Sequence, residues 1–237
     1  NRTYVCYVTN GRLDTDYTGL AYGTVDGVEG WYNFHDGYNF HEGYLNKGKE
    51  LVEYNGAWWY VSDERKVDFS YTGIAYNEAG GWYVRNGQVD FSYSGCVAAD
   101  GNTRYLRRYY LVENGRLRKE VSGLVQATVE GVNGWWKIDQ GVITVQSGGS
   151  ETFLVYYNGD WWYVLNSGQV DFSFTGLKGY NGETWYVENG RVNFTKTGFV
   201  DFDGYGAYEY IQNGQHDSDF NGLVYAELGG KTSWWQV

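Results

Sequence analysis

Proline and methionine are missing from this chain, and its 237 residues include only two cysteines and three histidines. Lysine and arginine are scarce as well, 18 against 29 acidic residues, which leaves a net charge of −11. A phosphate-binding surface needs a basic patch, so this balance disfavours nucleic acid and anionic membranes as partners. No apolar run approaches the ~20 residues of a helical membrane span, which excludes membrane insertion by that route. Cys6 and Cys96 form neither a metal-ligand cluster nor a disulfide framework. A single bridge or two isolated, semi-buried thiols are both open, the second being the simpler. No cofactor is expected.

What the chain does contain is aromatic side chains and glycine. Phe, Trp and Tyr make up 20% of it, with 11 Trp and 25 Tyr beside 35 Gly. That mixture suits short strands and tight turns rather than long helices. A single pattern recurs as "WWYVSDERKVDFSYTG" from Trp58, "GWYVRNGQVDFSYSG" from Gly81, "WWYVLNSGQVDFSFTG" from Trp161 and "TWYVENGRVNFTKTG" from Thr184. Weaker copies start at Val5, Tyr109 and Tyr208. Asn-Gly between two alternating runs is the strongest short-range hairpin signal, so each copy reads as strand, turn and a second alternating strand. A longer period lies above it: Gly73 and Gly176 are 103 positions apart, as are Gly95 and Gly198, while Gly19 and Gly123 are 104 apart. The expected fold is all-β, built of tandem β-hairpin repeats and internally duplicated into two pseudo-equivalent lobes, about 1–104 and about 105–237, within one module at 1–237. One continuous hairpin solenoid is the alternative.

Aligned on the turn, the repeats separate into columns. The column of Trp162 also holds Tyr32, Trp59, Trp82, Tyr110, Trp136, Trp185 and Trp235, and reads as core. The preceding column holds Trp31, Trp58, Trp135 and Trp161 but also Gly81 and Thr184, a mixture that a packed core resists. It therefore reads as outward-facing. Strand alternation places Tyr60 beside Trp58 and Tyr163 beside Trp161. Across the hairpin it turns Val170, Phe172 and Phe174 inward and leaves Asp68 and Asp171 on the outer face with the tryptophans. A flat ring flanked by Tyr and Asp suits a pyranose, whose C–H face stacks while its hydroxyls bond to the carboxylate. The candidate carbohydrate-binding residues are Trp58, Trp161, Tyr60, Tyr163, Trp31, Trp135, Asp68 and Asp171.

These motifs resemble the aromatic cell-wall-binding and glucan-binding repeats of secreted proteins from gut-dwelling Gram-positive bacteria. The resemblance runs over nearly the whole chain. Choline-binding repeats are relatives in style that match less well, because their Trp-Tyr-Tyr and Gly-x-Met patterns are missing and the chain has no Met. The duplicated arrangement resembles the starch-binding modules of amylosome scaffold proteins, which implies binding of α-1,4-glucan (starch or maltooligosaccharides) at two related sites. It also implies an extracellular or cell-surface setting within a longer multimodular secreted protein. A cell-wall anchor binding a bacterial surface polymer is the alternative. An acidic chain gains no electrostatic help from polyanionic teichoic acid, which favours a neutral glycan.

Nothing points to catalysis. A glycosidase needs two carboxylates at a set separation with one pKa raised, and residues copied from hairpin to hairpin do not provide that. His35 and His41 are six apart and have no counterpart in the second lobe, so no metal site is expected there. Asp201 with Asp203, and Asp217 with Asp219, lack a calcium-loop pattern.

Overall fold

A computed structural model describes residues 5–39, 49–202 and 204–237 of the chain. It is all-β, with no helix among the described residues. The long hairpins close on two-residue turns: Glu50–Tyr54 with Ala57–Val61 through Asn55-Gly56, and Thr152–Tyr157 with Asp160–Leu165 through Asn158-Gly159. Asn55 and Gly56 have φ of 54° and 74°, positive at both central positions. That is the type I′ geometry, whose twist matches the strands it joins, and asparagine tolerates it better than other side chains.

A second set of Asn-Gly turns, at Asn86-Gly87, Asn114-Gly115, Asn189-Gly190 and Asn213-Gly214, does a different job. The Gly87 amide donates to the Tyr71 carbonyl at 2.9 Å, and the Gly87 carbonyl accepts from the Tyr60 amide at 2.8 Å. Gly115, Gly190 and Gly214 are bonded in the same way to the repeats before them. The preceding Thr or Ser helps, since Thr72 Oγ1 accepts from the Asn86 amide and Ser94 Oγ from the Asn114 amide. Each turn is thus fastened to the backbone of the previous repeat. A Cβ on Gly87 would lie 2.6 Å from the Asp68 carbonyl oxygen and 2.8 Å from Phe69 Cα. Only glycine fits there.

The alternating strand expected after that turn is cut short. It is two residues long, as in Gln88–Val89 and Arg191–Val192, and the chain then turns. Asp68 Oδ1 accepts from the Ser70 amide at 2.9 Å and from Ser70 Oγ at 2.6 Å, and Asp171 holds Ser173 identically. The turn sends Tyr71 back to stack on Tyr60, with ring centroids 3.7 Å apart. Burial, followed by the nearby Tyr60, pushes the Tyr71 phenol up to about 12.

The hairpins are covered on both faces. Trp58 and Tyr60 belong to a cluster with Leu51, Ala75, Val84 and Val89, whereas Trp59 and Val61 belong to another with Leu20 and Val67. Trp161 and Tyr163 likewise pack with Leu154, Val187 and Val192, and Trp162 and Val164 with Leu124 and Val170. Alternation holds along the strand, but each face meets its own small core.

The chain divides into two compact units, Asn1–Asn102 with Tyr109–Glu120, and Thr103–Arg108 with Val121–Val237. Within the first, Gly73 pairs with Val84 and Trp82 with Ala75; within the second, Gly176 pairs with Val187 and Trp185 with Lys178. The register is the same in both.

The two kinds of Asn-Gly turn separate experimentally. Gly56 has open space around its Cβ position, so Gly56→Ala should cost about 1–2 kcal/mol through left-handed strain alone. Gly87→Ala carries the same strain plus a clash with backbone, and its urea midpoint should fall clearly further. Equal losses would show that the fastening contact contributes nothing.

Candidate functional site: aromatic pockets between hairpins

Where consecutive hairpins meet, their tryptophans leave a gap. In the first unit Trp58 comes from one hairpin, Trp82 and Phe91 come from the next, and Leu51 and Val89 form the floor. Asn77 and the carboxylates Glu50 and Glu78 line the same cavity, of about 670 Å³. In the second unit the corresponding walls are Trp161, Trp185 and Phe194 over Leu154 and Val192, joined by Tyr180 and Glu183 around about 180 Å³. Seven lining positions recur between these cavities at the 103-residue offset, and five of them keep their residue, from Leu51 and Leu154 to Phe91 and Phe194.

The same constellation stands one junction earlier in each unit. Trp31 lies 5.2 Å from Tyr54 at 52°, and Trp59 meets the edge of Phe69 at 5.8 Å. Trp135 with Tyr157 and Trp162 with Phe172 repeat it. At all four junctions the tryptophan of the later hairpin meets its phenylalanine edge-on, with interplanar angles of 72° to 75°. Rings at steep angles wall a pocket rather than make a flat platform.

Two carboxylates, Glu50 and Glu78, against one ammonium, Lys49, in the first cavity and Glu183 in the second leave acidic charge around the rings. The Arg116 guanidinium already sits over the Trp82 ring, 6.0 Å from its centroid, so that π-face takes positive charge within the fold. Glu50 is held by the Asn33 amide at 2.7 Å and Glu183 by the Gln215 amide at 2.5 Å, which fixes a carboxylate in each cavity. Trp59 and Trp162 donate their indole N–H to the Tyr54 and Tyr157 carbonyls, satisfying their polar edge while leaving the faces apolar.

Trp58, Trp161, Trp31 and Trp135 are all half-buried at these junctions, each against the core cluster its own hairpin helps to form. Tyr60 and Tyr163 correct the expectation that they face out. They are 3% and 7% exposed, because their side of the strand is covered by the next hairpin and their rings stack on Tyr71 and Phe174. Asp68 and Asp171 are also displaced from the expected outer strand face: their carboxylates organise the turn at Ser70 and Ser173. The assumed core column is only part core. Trp136 is 4% exposed, whereas Trp59, Trp82, Trp162 and Trp185 are half-buried walls. The phenylalanines were missed: Phe172, expected inside, is 47% exposed, and Phe91 is 50% exposed. A phenylalanine held between Asp and Ser, both turn formers, is the signal that pointed to them.

Elsewhere, His41 and Asp203 lie outside the described residues, so the pairs they were weighed in stay as sequence observations. Asp201 accepts hydrogen bonds from the Gly204 and Gly206 amides, and Asp217 from the Asp219 amide. Cys6 and Cys96 are free thiols, Cys6 exposed, with burial raising the pKa of Cys96.

The family model of the choline-binding repeat matches residues 51–63, 70–90, 154–171 and 173–193. Four segments match the choline-binding repeat. They cover just under a third of the chain and hold the tryptophans, leucine and valine of both cavities, with Phe91 and Phe194 lying one residue beyond them. The order of the resemblances read from sequence is thereby reversed, since choline-binding repeats ranked below glucan-binding ones there. Among solved structures, CbpJ of Streptococcus pneumoniae TIGR4 is similar at 15% identity over 97% of this chain and 82% of that one, with a TM-score of 0.29. The modular autolysin LytC of Streptococcus pneumoniae, solved with a synthetic peptidoglycan ligand, is 15% identical over 87% of this chain and 51% of its own, with a TM-score of 0.25. Likeness at that level carries no argument. No curated protein matches this chain.

The two-faced strand makes a ranking testable by urea denaturation. Tyr163→Ala should cost about 3–5 kcal/mol, as for a large buried ring. Trp161→Ala, which removes a half-buried wall, should cost about 1–3 kcal/mol. The reverse ranking would place Trp161 in the core and Tyr163 outside it.

Proposed function

We propose that this chain is a non-catalytic module that holds a choline-bearing bacterial cell-wall polymer at the cell surface. The quaternary ammonium groups enter the aromatic pockets between hairpins. The observation that carries the reading is the coincidence of the four choline-binding-repeat matches with the two cavities. A quaternary ammonium has no N–H to donate and is recognised by π-faces around it, which is the chemistry of Trp58, Trp82 and Phe91 and of their second-unit equivalents.

Charge supports the same ligand. A net charge of −11 gains nothing from a polyanionic backbone, but cationic groups carried on that backbone reverse the sign. Repeated pockets along one module, with its lobes at about 1–104 and 105–237, bind a repeating polymer through effective concentration. A starch platform needs a flat exposed ring flanked by free carboxylates, and Asp68 and Asp171 are engaged in their turns.

The chain should be retained on choline-derivatised agarose and released by free choline, but not by sodium chloride of equal ionic strength. Replacing Trp82 and Trp185 together by Ala should weaken retention by about tenfold or more. Amylopectin in a native gel should leave its mobility unchanged. Failure to bind the choline resin would overturn the proposal, and retardation by amylopectin with no choline retention would restore the glucan reading.

A further inference from the structure

The two matched repeats are not equal in the space they leave. They share their tryptophans, phenylalanine, leucine and valine, yet one cavity is about 670 Å³ and the other about 180 Å³. Lys49, Glu50, Tyr76 and Ala79 line the first alone and Glu183 the second alone, but among the positions lining both, the largest change of side chain is Asn77 in the first unit to Tyr180 in the second.

Tyr180 precedes an Asn181-Gly182 turn with both residues at positive φ, 52° and 84°. From there its ring reaches over the pocket, 5.2 Å from Trp161 at 55°. It adds a fourth aromatic wall to Trp161, Trp185 and Phe194 and closes one side. Asn77 precedes Glu78-Ala79, where neither residue has positive φ. Its side chain is drawn back into its own turn: Oδ1 accepts from the Ala79 amide at 3.0 Å and from the Trp82 indole N–H at 3.0 Å. Among the described residues Trp58 therefore has no ring stacked or tilted against it, and Tyr76 and Glu78 line the cavity beside Asn77. At the earlier junctions Tyr54 and Tyr157 occupy this position, so Asn77 is the departure from the pattern.

We infer that this position sets ligand size, with Asn77 opening the first-unit pocket to a quaternary ammonium carrying a bulky substituent and Tyr180 restricting the second to a small head group. This rests on the choline-binding reading. An aromatic ring in the way excludes a large ligand by clash while improving contact with a small one.

The test uses the full chain labelled with 5-fluorotryptophan, its Trp82 and Trp185 resonances assigned by Trp→Phe replacement. The probes are choline and the larger benzyltrimethylammonium. Choline should shift both resonances, and benzyltrimethylammonium should shift Trp82 while binding about tenfold or more weakly at Trp185. Asn77→Tyr should remove that preference with choline binding kept, and Tyr180→Asn should let the larger cation reach Trp185. The retained choline response shows that each variant is folded, and either exchange alone decides the matter. Equal response of both resonances to the larger cation, or exchanges that change nothing, overturn the inference while leaving the choline reading intact. A choline titration that moves neither resonance overturns both.

Discussion

Four successive-repeat contacts in this molecule depend on a glycine of one repeat lying against the backbone of the repeat before it. Gly87, Gly115, Gly190 and Gly214 each sit at positive φ and each exchange backbone hydrogen bonds with a preceding hairpin. The contact is short enough that a Cβ would not fit, so the spacing between repeats is set by backbone and not by compressible side chains. Glycine, asparagine and the Thr or Ser that caps the turn are kept together for one geometric reason.

The consequence is a strand with no free face. Tyr60 packs forward into one small core and Val61 backward into another, and Tyr163 and Val164 do the same. Paired tryptophans follow from this. Trp58 and Trp59 are not one inner and one outer ring but walls of successive junctions, and so are Trp161 and Trp162. The pockets are what remains when rings from different hairpins meet at steep angles.

The hairpins, the all-β class and the duplication were legible because Asn-Gly turns and a fixed offset are local features of sequence. Trp58 and Trp161 were found as equivalents for the same reason. Tyr60 and Tyr163 were misplaced because alternation reports which residues share a face, not how many faces are covered. Phe91 and Phe172 were hidden because the run after the turn alternates like a strand, yet Asp90 and Asp171 bend it with side-chain bonds to Ser92 and Ser173. The tolerance of Gly81 beside Trp58 came from neither exposure nor a site of its own: the Tyr76 ring fills the place its side chain would take.

On the proposed reading, the acidity that weighed against a charged polymer is accounted for by a cationic group carried on that polymer. Carboxylates at Glu50, Glu78 and Glu183 line the aromatic pockets, and Arg116 over Trp82 shows the ring already engaged with positive charge. A crystal structure of the chain with choline tests this most directly. The account predicts density for the ammonium group between Trp58, Trp82 and Phe91 and between Trp161, Trp185 and Phe194. Choline bound elsewhere, with both pockets empty, would contradict it.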